Sequence, residues 1–259
     1  MSAAIIIPAR YQSSRLPGKP LLKDTGKTLI QHVFENARLV KNASRIIVAT
    51  DDERIRDCVM GFGGEAVMTS PTHSSGSARA AEAAETIEAE IIVNLQGDEP
   101  EISPAHIDRL IEIQANVKPF ASTLACRFPD TARYGPGSPE DPAAVKALLG
   151  EEIETRLHWA RYFTRVVCPW PRDNNNFIAS PSDYFLHVGV YAFSKSSLTR
   201  FAQAKSGALE TAERLEQLRI LEMNEKIAVG VVGEAAPGVD TQQDYAAFVQ
   251  RTKNGAAGR

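Results

Sequence analysis

Three cations fall within ten residues near the start of the chain, Arg10, Arg15 and Lys19, set among Pro8, Pro17 and Gly18. Two guanidinium forks and one ammonium point charge suit a polyphosphate, since the forks grip oxygen pairs while the lysine neutralises charge. The run Ile5-Ile6-Ile7 reads as a buried strand, so the basic loop begins where a strand ends. In open α/β sheets that edge is where ligands bind. A solvated basic loop is the plain alternative. The strand before it and the stiff Pro17-Gly18 pair favour phosphate binding.

A second stretch, Val93-Asn94-Leu95-Gln96-Gly97-Asp98-Glu99-Pro100, puts an acid just past another buried strand, held by a glycine turn and stopped by proline. A hard cation such as Mg²⁺ is held by one or two carboxylates plus phosphate oxygens, so one well-placed Asp suffices. Capping of the following turn is the competing use of Asp98. Asp240, in Gly238-Val239-Asp240-Thr241, also follows a strand, although alone it reads as the N-cap of a helix over 241–250. The loop from His73 to Arg79 is rich in hydroxyls and opens a helix. Its backbone N–H groups could take an anion or a base edge, and helix capping by Ser75 or Ser77 explains the same residues. His187 is the lone polar residue of an apolar strand, and a satisfied core histidine is the commoner outcome. Glu216, Gln217 and Arg219 lie on a helix whose default is a solvated face. Trp159, Tyr162 and Trp170 read as core.

Positioning these residues requires strands alternating with helices. Strands are expected over 5–8, 45–50, 65–68 and 91–95, with helices over 28–40, 53–62, 78–89 and 104–116. That alternation means a doubly wound, mostly parallel sheet of the α/β class. The rhythm breaks after a strand at 121–127. Residues 129–142 carry four prolines and two glycines, which marks an exposed excursion. Later elements are a strand at 185–193, helices at 198–204 and 211–223, a strand at 227–232 and a frayed tail from 255 to 259. The expected organisation is one domain over 1–255, with 129–195 as a smaller insertion.

The 259 residues, 43% of them hydrophobic, are enough for a well-buried core. A net charge of −3 gives no basic field for steering nucleic acid, so any anion site must be focal. Cys58, Cys126 and Cys168 are odd in number and widely spaced, which argues against a disulfide framework and a structural zinc site. A reducing cytoplasm is the expected location, with no membrane insertion, since no apolar run approaches the roughly 20 residues that span a bilayer.

Taken in order, PARYQSSRLPGKPL, VATDDERI, NLQGDEP, HVGVY, LEQLR and GVDT resemble the 3-deoxy-manno-octulosonate cytidylyltransferases, or CMP-Kdo synthetases, over nearly the whole chain. The resemblance implies a nucleotidyltransferase-type Rossmann-like fold and a reaction of CTP with Kdo that gives CMP-Kdo and pyrophosphate with Mg²⁺. It implies that Arg10, Arg15 and Lys19 hold the triphosphate, while Ser74, Ser75, Gly76, Arg79 and Gln96 form the nucleotide pocket. Asp98 and Asp240 would ligate magnesium, with Lys19, Asp98 and Asp240 as the catalytic set. Arg165, His187, Tyr191, Glu216 and Gln217 would hold the sugar acid. A homodimer is also implied, with the inserted region as its interface. Two departures stand out. The family usually reads SGTDR where this chain has Ser75-Gly76-Ser77-Ala78-Arg79, and ALYFSR where it has Ala160-Arg161-Tyr162-Phe163-Thr164-Arg165. They leave open another 2-keto-3-deoxy acid, such as an amino-Kdo, as acceptor, or a weakly catalytic relative that binds nucleotide for regulation.

Overall fold

The computed structural model describes residues 2–12, 16–73, 75–172 and 178–257, with side chains through 254. The chain divides into two compact units, residues 1–111 with 236–259, and residues 112–235. The segment expected as an insertion, 129–195, lies wholly within the second.

In the first unit β1 (Ala3–Ala9) is buried along its whole length, as expected of an Ile-rich strand covered on both faces. It pairs in parallel with β2 (Arg45–Thr50) on one side and β4 (Ile91–Asn94) on the other, and β3 (Ala66–Met68) extends the sheet beyond β2. Pro8 is tolerated in this central strand because the β4 ladder ends at Ile6, which leaves Pro8 a neighbour only in β2. Between the strands run α1 (Leu29–Ala37), α2 (Glu53–Gly61) and α3 (Gly76–Glu85). α1 buries Leu29, Ile30, Val33, Phe34 and Ala37, one stripe of a 3.6-residue period. α3 buries four alanines, small enough for its backbone to lie close to what it covers. It starts two residues before the expected 78 because Ser75 caps it, and it ends at Glu85, well short of 89. The boundary between the units falls inside α4 (Pro104–Val117).

The second unit contains β5 (Ala121–Arg127), β6 (Lys146–Glu154), β7 (Leu157–Thr164), β8 (Phe185–Ser194) and β9 (Ile227–Val232). β5 runs parallel to β9 and antiparallel to β8, while β7 is antiparallel to both β9 and β6. Lys146 of β6 also pairs with Leu186 of β8, so the sheet curls. The β6–β7 hairpin has no counterpart in the sequence expectations. Its ladder slips at Leu148/Leu149 and again further out, which breaks the two-residue alternation that marks a strand.

After β8 come α5 (Lys195–Gln203), α6 (Ala208–Glu213) and α7 (Gln217–Glu222). The single helix expected over 211–223 is therefore two. Arg214 stands between them in the left-handed region at φ 53°, a conformation that no helix can continue through. Arg219 of α7 donates from Nε to Glu210 Oε2 of α6 at 2.7 Å and also reaches Oε1, with its guanidinium over the Phe201 ring. That buried pair pins the two short helices together. The chain ends in α8 (Gln242–Ala257), so the tail expected to fray from 255 is helical through 257. Tyr245 and Phe248 of α8 pack with Leu16, Leu29 and Val239, and the Tyr245 hydroxyl accepts the Asp24 N–H at 2.9 Å. No helix among the described residues is long and apolar enough to cross a membrane.

Glu210→Ala leaves the Arg219 charge buried with only carbonyl partners. It is expected to destabilise the protein by about 3 kcal/mol, read as a lower urea midpoint at unchanged slope.

Candidate active site

Lys19 is the junction of the first unit. Gly18 turns the chain at φ 69°, a conformation open to glycine, and the Tyr11 ring lies 3.3 Å from where a β-carbon would be. Lys19 then opens a single 3-10 turn, and its ammonium has three acceptors. These are Asp98 Oδ2 at 2.7 Å, the Val239 carbonyl at 2.9 Å and Asp240 Oδ1 at 3.2 Å. The two carboxylates are brought side by side by the backbone, because the Val239 N–H donates to the Asp98 carbonyl at 2.8 Å. Gly97 allows the approach, since a β-carbon there would sit 3.0 Å from the Pro8 carbonyl oxygen. The structure thus unites Lys19, Asp98 and Asp240. It also settles the alternative use of Asp240, because the start of α8 is closed by Thr241 and Asp244. Asp244 accepts the Thr241 N–H at 2.8 Å, and Thr241 Oγ1 accepts the Asp244 N–H at 3.2 Å, a reciprocal capping box.

Charge at this junction is unbalanced. Glu99 adds a third carboxyl, and burial first, then Asp98 and Asp240, push its pKa up to about 8 against the relief Lys19 gives. Glu99 is therefore mostly protonated at neutral pH, and the carboxylates of Asp98 and Asp240 still outnumber the one ammonium. Asp98 and Asp240 keep 28% and 48% of their side-chain surface exposed, so both can reach a further cation. Among the described residues no group of three or more His, Cys, Asp and Glu forms a self-contained metal cage. A divalent ion here would be completed by phosphate oxygens and water, and the donor set fits a hard cation.

Around the end of β1, Arg10, Tyr11, Asp51, Asp52, His73 and Arg79 line a cleft of about 240 Å³. Arg10 is exposed. Arg79 is 3% exposed and its guanidinium is engaged inside the unit, donating to Thr69 Oγ1 at 2.6 Å and Asp51 Oδ2 at 2.9 Å. Ser75 Oγ accepts the Ala78 N–H at 3.2 Å, so it is the N-cap of α3. Gly76 brings the helix start against Gln96, whose Oε1 lies 3.3 Å from the position of an added β-carbon. Gln96 donates to Asn94 at 3.4 Å, and Asn94 to Ser77 at 3.1 Å. Arg15 and Ser74 lie outside the described residues.

The capping geometry explains what Ala78 changes. It is the third residue of α3 after the Ser75 cap, the position from which a carboxylate returns a hydrogen bond to the N-cap backbone. A carboxylate there would complete the capping box that Ser75 half forms.

In the second unit β8 carries an irregularity. Leu124 of β5 lies opposite Val188 and Thr123 opposite Tyr191, so two residues of β8 are looped out. In a regular strand rings four residues apart stand about 13 Å apart. Here the His187 and Tyr191 rings are 5.5 Å apart, and Phe163 packs edge-on to His187 at 4.9 Å. His187 Nε2 meets Thr123 Oγ1 at 2.9 Å. Burial holds the imidazole neutral, its pKa lowered to about 3. The Tyr191 phenol is pushed far above its usual range by burial and then by Glu216, which places that carboxylate near the ring. Gln217 is buried at the start of α7.

Arg165 is held from several sides. It donates to the Glu213 carbonyl at 2.7 Å, the Pro142 carbonyl at 2.8 Å and the Arg214 carbonyl at 3.4 Å. Arg161 is the extra residue in β7 between the Leu148 and Leu149 pairings. It is exposed and lies across Gly150, where an added β-carbon would come within 2.5 Å of its Nε. Sequence reasoning missed Thr123, Glu99 and the fully covered Lys146, which donates to the Asp141 and Arg165 carbonyls at 2.9 and 2.7 Å.

A parallel α/β unit that gathers a lysine and two carboxylates beside the end of β4 has them on the edge where open α/β sheets bind their ligands. Residues 4–227 match the cytidylyltransferase family, to which the chain belongs. It is 43% identical over 252 residues to a 3-deoxy-manno-octulosonate cytidylyltransferase of Vibrio cholerae, covering 94% of this chain and 95% of that one. It is 41% identical over 249 residues to an 8-amino-3,8-dideoxy-manno-octulosonate cytidylyltransferase of Shewanella sediminis, covering 94% and 96%. Among solved structures, CMP:2-keto-3-deoxy-manno-octonic acid synthetase complexed with CTP superposes with a TM-score of 0.86 at 37% identity, covering 98% of this chain and 99% of that one. That likeness bears out the nucleotidyltransferase-type α/β fold.

Restoring a carboxylate with Ala78→Asp is expected to complete the capping box and stabilise the protein by about 0.5–1 kcal/mol. A differential-scanning trace should show the higher Tm, with the KM for nucleotide unchanged.

Proposed function

We propose that the protein joins CMP from CTP to the anomeric hydroxyl of Kdo and releases pyrophosphate, supplying an activated sugar acid for lipopolysaccharide or capsule assembly. The observation that carries this reading is the meeting of Lys19 with Asp98 and Asp240 in the first unit. In the reaction the sugar hydroxyl oxygen attacks the α-phosphorus, the bond to the bridging oxygen breaks, and the hydroxyl proton is lost to solvent or a phosphate oxygen. A hemiketal hydroxyl is a weak nucleophile and pyrophosphate a charged leaving group. The protein must therefore align the two and neutralise charge.

Arg10, Arg15 and Lys19 take the triphosphate, Lys19 by exchanging one of the three acceptors that hold its N–H donors for a phosphate oxygen. Ser74, Ser75, Gly76, Arg79 and Gln96 shape the nucleotide pocket, Arg79 by bracing Asp51 and Thr69 from within. Asp98 and Asp240 hold magnesium, which when bound offsets phosphate charge and lowers the pKa of a coordinated hydroxyl. Arg165, His187, Tyr191, Glu216 and Gln217 hold the sugar acid. Arg165 does so from a guanidinium already braced by three carbonyls. The enzyme works in the cytoplasm as a homodimer, its interface including the exposed Tyr134, Val166 and Trp170. An 8-amino acid is the second acceptor to test, since a relative with that substrate in its name matches about as well as the Kdo one.

Pyrophosphate release with CTP and Kdo should require Mg²⁺, stop on chelation and resume when the ion is restored. Asp98→Asn and Asp240→Asn should each lower kcat by about 100-fold or more with the fold intact by circular dichroism. Rates near wild type in both variants would overturn the metal assignment. Faster release with the 8-amino acid than with Kdo would move the acceptor and keep the chemistry.

A further inference from the structure

Thr123 of β5 sits where the β8 register jumps, and its hydroxyl has three neighbours. Val190 offers a carbonyl at 2.8 Å, Val188 another at 3.2 Å, and His187 its Nε2 at 2.9 Å. A threonine hydroxyl carries one proton and two lone pairs, whereas a carbonyl only accepts. Two oxygens 2.8 Å apart need that proton between them. The Thr123 proton therefore goes to Val190, and the hydroxyl can meet His187 only as an acceptor, which puts a proton on the imidazole Nε2.

We propose that Thr123 is a positioning residue that locks His187 as the Nε2–H tautomer, so that Nδ1 is a hydrogen-bond acceptor for a hydroxyl of the sugar acid. The inference rests on the sugar-acid reading of this site given above. Burial keeps the ring uncharged at neutral pH, so with Nε2 protonated the other nitrogen carries a bare lone pair. Among the described residues no side chain or backbone group donates to Nδ1. Phe163 and Tyr191 fix the plane of the ring from two directions, at 4.9 and 5.5 Å. A bare nitrogen repels a carboxylate and welcomes an O–H donor. His187 thus reads a hydroxyl, and the acid's carboxylate is left to other groups. The looped-out residues of β8 serve the same end, since they turn the Val188 and Val190 carbonyls onto Thr123.

Thr123→Val removes the hydroxyl at nearly constant volume, and Thr123→Ser keeps it. With ¹⁵N-histidine-labelled protein at neutral pH, NMR should show His187 protonated at Nε2 and bare at Nδ1 in the wild type and the serine variant. The valine variant should show a mixed or reversed tautomer. Its KM for Kdo should rise about tenfold while its KM for CTP stays within about twofold, and serine should restore both. An Nδ1–H tautomer or an imidazolium in the wild type overturns the proposal, and this measurement does not depend on the valine variant folding. A shifted tautomer with unchanged KM for Kdo overturns the assignment of Nδ1 to the sugar. Wild-type enzyme inactive on every 2-keto-3-deoxy acid would overturn the function reading itself, with the tautomer still read independently.

Discussion

One ammonium group organises the first unit. Lys19 is 79 residues from Asp98 and 221 from Asp240, yet its Nζ touches both and the Val239 carbonyl besides. Without it the Asp98 and Asp240 carboxylates, whose segments a backbone hydrogen bond holds together, would face each other unrelieved, beside a Glu99 whose pKa burial first and these two carboxylates next already raise. The same imbalance gives the site its chemistry. Under the proposed function this cluster would take a divalent cation, and a hard cation held by only two carboxylates would complete its shell with phosphate oxygens. On the proposed reading, the contacts that close this part of the fold are also the ones that meet the substrate.

Several other cations are structural. Arg79 braces Asp51 and Thr69, Lys146 gathers the carbonyls of Asp141 and Arg165, and Arg219 locks α6 to α7 through Glu210. Each is largely or wholly withdrawn from solvent, and each spends its donors on the protein. Burying a charge is costly unless it is paired and hydrogen-bonded, so these residues hold their segments in one arrangement. Precise positioning is what a reaction without a covalent enzyme intermediate requires, since alignment and charge neutralisation carry the catalysis. In the second unit the same end is met by neutral groups, with Thr123, Phe163 and Tyr191 holding His187 in one orientation.

How much of this the sequence discloses depends on the range of the interaction. The buried strands at 45–50, 121–127 and 227–232 are legible because their apolar runs are continuous, and the structure returns them with those bounds. Asp98 is legible for the same reason, since it follows a strand and a glycine turn. Asp240 is ambiguous until the Thr241 and Asp244 capping box is seen to close α8 without it. The break at Arg214 is hidden because the residues on either side keep a helical pattern, and left-handed arginine leaves no compositional mark. The β6–β7 hairpin is hidden because Arg161 is looped out and the alternation fails there. Thr123 is an ordinary strand residue in sequence. Its importance arises only from a register shift in a partner strand more than sixty positions away.

Under the proposed function Asp98 and Asp240 hold the metal that accompanies the nucleotide. Electron paramagnetic resonance with Mn²⁺ in place of Mg²⁺ tests it without turnover, by counting the ions retained by the protein in the presence of CTP. Mn²⁺ should stay bound to the wild type and be lost when Asp98 and Asp240 are both changed to Asn. Equal Mn²⁺ retention in the double variant would contradict this assignment.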